Sequence, residues 1–164
     1  VYGAEMNRET EFVKALRDSK LKEQGWDLFI PYVQAVLETG IFTSKLCKEA
    51  YNFCGIKGAY RGESLEIPTY EFENGKRVDI VDKFRKYPDF DTALLDYVNK
   101  IADMYPGAYR ERNNYKCYYE GLIHGGREDW MQWSTSPVYS EVLIKLYDKL
   151  KTQNEGDLYE VVCG

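Results

Sequence analysis

An Asn-Gly pair at positions 74 and 75, set between two runs of alternating residues, commits its stretch of chain to one local geometry. A type I′ turn needs positive φ at both central residues, and Asn-Gly adopts it at least cost. Residues 66–84 are therefore expected to form a β-hairpin with a two-residue turn. In that register Glu73 faces Lys76, Glu71 faces Val78 and Thr69 faces Ile80. Side chains two apart share a face, so Thr69, Glu71, Glu73, Val78 and Ile80 line one side. Tyr70, Phe72, Arg77 and Val81 line the other. Glu71 is then either a carboxylate set beside aliphatic neighbours for a purpose, or an ordinary solvent-facing strand residue.

The rest of the chain reads as helices. Trp26 to Gly40 is a short apolar helix with Asp27 as cap, Pro31 tolerated in its first turns and Gly40 as stop. Phe29, Val33 and Val36 or Leu37 recur at helical spacing, so this face is expected to be buried. Glu38 falls in the last turn. There the negative end of the helix dipole and apolar neighbours both favour the protonated carboxyl, which suits a proton donor; a solvated carboxylate fits the spacing as well. Other helices are expected over residues 8–24, over Ser44–Tyr51 with Ser44 as cap, and over about 92–104 with Asp89 or Asp91 as cap. Further ones are expected over 113–123, 127–133, and Val138 to about Leu150 with Val142, Leu146 and Leu150 inward. The end, Leu158 to Cys163, reads as a terminal strand or the start of a link.

Composition narrows the function classes. The 164 residues, 44% hydrophobic and 30% charged, fit one domain with its own core. A net charge of −5 without a basic stripe argues against a nucleic-acid partner. No apolar run is long enough to span a bilayer, so no membrane partner is expected. Val1-Tyr-Gly-Ala lacks the regions of a signal peptide, so any leader would lie outside this segment. Four cysteines (Cys47, Cys54, Cys117, Cys163) at uneven spacing do not make a disulfide scaffold, and with His124 as the one histidine no metal or cofactor is expected. Fifteen tyrosines exceed what such a core needs. They serve either as sugar platforms or as extra packing.

Several stretches, in this order, resemble the catalytic domain of glycoside hydrolase family 73, the cell-wall N-acetylglucosaminidases. Gln34-Ala-Val-Leu-Glu38-Thr-Gly40 is similar to the family's Gln-Ala-x-Leu-Glu-Ser-Gly segment, and Asn52-Phe53-Cys-Gly-Ile-Lys57 to its Asn-x-Phe-Gly-Ile-Lys segment. Thr69-Tyr-Glu71-Phe-Glu-Asn-Gly75 resembles its Thr-x-Glu-Tyr-x-x-Gly hairpin, and Phe84-Arg85-x-Tyr87 followed by Ala93-Leu-x-Asp-Tyr97 resembles what comes next. The chain departs from the family at Ile41-Phe42, where Trp-Gly is usual. It departs again at Gln132-Trp133-Ser-Thr-Ser-Pro137-Val-Tyr139, where Trp133 stands in the place of a tyrosine near the acid.

The resemblance implies an α+β, mainly α fold: a lysozyme-like helical domain with a small β-hairpin lobe. It implies a catalytic domain over residues 1–151, with 152–164 a tail or a link to another module. Glu38 would be the general acid and Glu71 the second catalytic carboxylate, with Asn52, Phe53, Trp133 and Tyr139 contacting substrate. The expected substrate is the glycan strand of peptidoglycan, cut at the N-acetylglucosaminyl-β-1,4-N-acetylmuramic acid bond. The protein would act outside the cell or in the wall, as a monomer or as one module of a larger chain or phage particle. The rivals are a muramidase or lytic transglycosylase on the same polymer, and a non-catalytic glycan-binding phage-tail module.

Overall fold

A computed structural model describes residues 7–153 and 157–164. Val1-Tyr-Gly-Ala and the polar start of the tail at 154–156, both read above, lie outside the described residues. The elements run α1 (Arg8–Asp18), α2 (Phe29–Thr39), α3 (Lys45–Ala50), β1 (Ser64–Glu73), β2 (Lys76–Arg85), α4 (Phe90–Met104), α5 (Pro106–Tyr109), α6 (Tyr115–His124), α7 (Tyr139–Gln153) and α8 (Asp157–Cys163).

The local signals hold where a side chain answers a nearby backbone group. Ser44 accepts a hydrogen bond from the Cys47 amide and Asp89 one from the Thr92 amide, so each caps its helix. Gly40 closes α2 at φ +58°, but the N-cap position expected of Asp27 is held by Leu28 without a side-chain bond, Asp27 lying one residue earlier and accepting from the amide of Phe29. The hairpin has the expected register, with Glu71 opposite Val78 and Thr69 opposite Ile80, and Asn74 and Gly75 at φ +51° and +75°.

Helix α2 is the centre of the body. Phe29 through Val36 are all buried, so burial runs round the helix and not along a single face. Helices α7 and α8 pack on α2, and α1 packs on α4. Phe12 of α1 sits among Phe42, Phe53 and Phe90, at ring separations of 5.4, 4.8 and 5.3 Å. Ile41 and Phe42 follow Gly40 in the left-handed region, both at φ +60°. This turn is disfavoured for residues with a Cβ. It is held by burial of Phe42 and by the Thr39 hydroxyl, which accepts from the Phe42 amide at 2.7 Å.

Four further expectations are corrected. The first helix stops at Asp18, not residue 24, because Ser19 turns extended and its hydroxyl bonds back to the Leu16 carbonyl. Residues 127–133 form no helix: the amides of Arg127 and Trp133 donate to the carbonyls of Met104 and Leu122, outside the segment, and a turn from the Met131 amide to the Glu128 carbonyl lies between them. In α7 the buried stripe is Tyr139, Leu143 and Tyr147; of the three residues expected inward, Leu146 and Leu150 are partly buried against the core beside it and Val142 is exposed. The end of the chain, expected as a terminal strand or the start of a link, is the helix α8, whose Val162 is fully buried.

Candidate active site

The last turn of α2 delivers Glu38 to the wall of a cavity of about 500 Å³. Cys54, Lys100, Tyr105, Trp133 and Tyr139 line the same space, and among the described residues Glu38 is the one carboxylate on the wall. Protein packed behind Glu38 removes water and raises its carboxyl pKa above the usual carboxylate range, while a hydrogen bond from Tyr139 works in the opposite direction. The carboxyl therefore keeps access to the cavity and an enhanced hold on its proton.

Behind Glu38 runs a chain of buried polar groups. The Tyr139 hydroxyl donates to Glu38 Oε1 and accepts from Gln34 Nε2 at 3.2 Å. Gln34 Oε1 accepts from the Tyr97 hydroxyl at 2.5 Å, and Tyr97 lies 2.5 Å from the Tyr118 hydroxyl. A carbonyl oxygen only accepts, so the single Tyr97 proton points at Gln34 and Tyr118 donates to Tyr97. Each donor then points along the chain toward Glu38. Burial raises the pKa of Tyr97, Tyr118 and Tyr139, keeping them neutral donors.

Trp133 forms a side wall, its ring 5.9 Å from Tyr97 and 5.6 Å from Tyr105. Tyr139 is buried to 9% exposure, so it meets the site through its hydroxyl and not through a stacking face. Of the tyrosines in α6, Tyr118 and Tyr119 are core residues and Tyr115 stacks on Tyr147 at 3.8 Å.

Asn52 and Phe53, expected at the substrate, lie beneath the site. Asn52 is 1% exposed, and its amide nitrogen donates to the carbonyls of Ile56 and Arg85. Its oxygen accepts from the amides of Gly55 and Ile56, so its polar atoms are engaged within the fold. Phe53 stacks on Tyr97 at 5.3 Å, inside the core. Both support the loop that carries Cys54 and Lys57 into the cavity wall.

Glu71 stands outside the cavity, exposed on the hairpin. Phe84 at the base of β2 lines the cavity, whereas the partner of Glu71 is Val78, roughly 20 Å further along the strand. Gln34 and Lys100 had no role assigned from sequence. Gln34 had a usable signal: a polar residue in an apolar helix, one turn before Glu38 and hence on the same face. Lys100 had none, being one lysine among many.

Among the described residues no group of three or more His, Cys, Asp or Glu side chains is placed to hold a metal, and no helix is long and apolar enough to cross a membrane.

Comparison with known proteins gives a consistent result. Residues 19–152 match the glucosaminidase family model, described as mannosyl-glycoprotein endo-beta-N-acetylglucosaminidase. An autolysin of Enterococcus faecalis is 36% identical over 148 residues, covering 82% of this chain and 19% of the relative. The exo-glucosaminidase LytG of Bacillus subtilis is 30% identical over 123 residues, covering 73% of this chain and 43% of the relative. The chain thus spans less than half the length of these relatives. The catalytic domain of the autolysin Auto from Listeria monocytogenes superposes with a TM-score of 0.68 at 24% identity, over 97% of this chain and 91% of that one. With a family model matching most of its length and a shared fold, the chain belongs to the glucosaminidase family, glycoside hydrolase family 73.

Proposed function

We propose that this domain is a peptidoglycan hydrolase that cleaves the N-acetylglucosaminyl-β-1,4-N-acetylmuramic acid bond of the bacterial cell wall. The observation that carries this reading is Glu38: a carboxyl with raised proton affinity, open to a cavity and hydrogen-bonded from behind by Tyr139. Glu38 gives its proton to the bridging oxygen as the bond from that oxygen to the anomeric carbon breaks. The oxocarbenium-like centre then takes up water, whose proton passes to a base. Glu71 fills that role if the hairpin bends over the cavity, as substrate-induced closure of a loop can complete a catalytic constellation. Trp133 offers a ring face to a sugar, and Tyr139 orients the acid. The domain works in the wall or outside the cell, alone or as one module of a longer chain or phage particle. The acidic net charge gives no long-range attraction to an anionic wall, so targeting falls to a neighbouring module or to a phage particle.

A second reading is favoured by one observation, that among the described residues Glu38 is the sole carboxylate on the cavity wall. A lytic transglycosylase works with one acid. Digestion of purified peptidoglycan by wild type, Glu38→Gln and Glu71→Gln, with ends identified by mass spectrometry after borohydride reduction, separates the two. Reduced N-acetylglucosamine ends that vanish in Glu38→Gln are expected. Anhydro-muramic ends with Glu71 dispensable would establish the rival, and binding without products would leave a glycan-binding module.

A further inference from the structure

The Glu38 cavity also holds a cation without a counter-ion. Lys100, near the C-terminal end of α4, lines the wall together with Glu38 and Trp133 and is half-buried. Its Nζ lies 5.2 Å from the centroid of the Trp133 ring, a cation–π contact that holds the ammonium at this wall. Neighbouring cations are paired. Lys57, on the same cavity wall, meets Asp82 at 3.2 Å, and Arg85 meets Asp96 at 2.8 Å. Asp96 lies one turn before Lys100 on α4, but its oxygens are taken by Arg85 and by the Tyr87 hydroxyl. Among the described residues Lys100 forms no ion pair. The charged and ionisable groups that share its cavity wall are Glu38 from α2, Cys54 and Lys57 from the loop after α3, Tyr105 and Tyr139, and Arg85 from β2 and Asp96 from its own helix also act on it. Burial lowers the Lys100 pKa, and an incoming anion would restore its hold on the proton.

An ammonium that lines the cavity without an ion-pair partner is placed to meet an anionic group of a bound ligand. We propose that Lys100 forms an anion subsite beside the scissile bond, taking a carboxylate carried by the glycan strand. This rests on the wall-glycan reading above. In such a strand a carboxylate comes from one of two sources: the lactyl group of a muramic acid stripped of peptide, or the stem peptide where it is retained. A neutral chitin-type oligomer has neither. The subsite therefore selects wall glycan over neutral N-acetylglucosamine polymers, in a protein whose overall charge repels anions.

The test uses the full chain carrying Glu38→Gln, so that bound strands are not cut, with and without Lys100→Met. Calorimetry measures binding of peptide-bearing strands, amidase-stripped strands and a neutral N-acetylglucosamine oligomer. Lys100→Met is expected to weaken binding of the carboxylate-bearing ligand about tenfold, the scale of one charge-assisted hydrogen bond, and to leave the neutral oligomer within twofold. Lys100→Arg is expected to restore most of it. A loss on stripped strands assigns the lactyl carboxylate, and a loss confined to peptide-bearing strands assigns the stem. Equal losses on all three ligands, or none on any, would overturn the proposal. Wild-type turnover of the same strands is followed in parallel: absence of any cleavage refutes the hydrolase reading, while the binding comparison still decides the role of Lys100.

Discussion

The Tyr139 hydroxyl donates a hydrogen bond to the carboxylate of Glu38, joining the first turn of α7 to the last turn of α2 across 101 residues of sequence. Gln34 holds the other side of that hydroxyl, and Tyr97 holds Gln34. Such a chain restrains Glu38, because moving the carboxyl breaks its bond to a tyrosine that is itself held by Gln34.

Tyr139→Phe removes a donor that favours the charged form of Glu38, so the Glu38 pKa is expected to rise further. An acid catalyst works while protonated, and activity is lost as pH rises through its pKa. The alkaline limb of the kcat profile is therefore expected to move to higher pH, with the maximum lowered about tenfold by loss of orientation. The same direction governs stability. A carboxyl whose pKa is raised by folding contributes stability below its unfolded pKa and loses it as pH rises through the folded one. Thermal melts of wild type and Glu38→Gln are expected to differ most at neutral pH, in favour of the glutamine, and to converge in acid. A pH limb that stays or moves down in Tyr139→Phe would refute the role given to Tyr139.

Asn52→Ala removes bonds to four backbone groups that tie the cavity loop to the end of β2. A loss of about 2–3 kcal/mol in urea unfolding is expected, since several buried groups lose a partner together. Substrate affinity measured below the transition is expected to change little. Unchanged stability with a raised KM would instead return Asn52 to the substrate.

Gly121→Ala tests the packing under the site. A Cβ there would lie 2.6 Å from the Ala108 Cα and 2.7 Å from its nitrogen, so α5 and α6 would have to separate. Overpacking against backbone is expected to cost about 1–3 kcal/mol, read as a lower midpoint in chemical denaturation.

Sequence alone determined the pieces whose causes lie within a few residues. The Asn74-Gly75 turn sets the hairpin register, Ser44 and Asp89 cap their helices, Gly40 ends α2, and the helical period places Glu38 in the last turn. Each depends on hydrogen bonds or φ preferences between near neighbours, which a linear reading can weigh. Tertiary structure decided which face of α7 turns inward. Val142 ends up exposed and Leu146 and Leu150 only partly buried, while Tyr139, Leu143 and Tyr147 are buried and the two tyrosines find polar partners, Glu38 for Tyr139 and Asp27 for Tyr147. It also drew Trp133 onto the cavity wall through a backbone bond to Leu122, sank Asn52 and Phe53 beneath it, and left Lys100 facing Trp133. These outcomes depend on groups tens of residues apart competing for the same buried partners. No periodicity or motif encodes the result of that competition, because it is settled only when the helices pack.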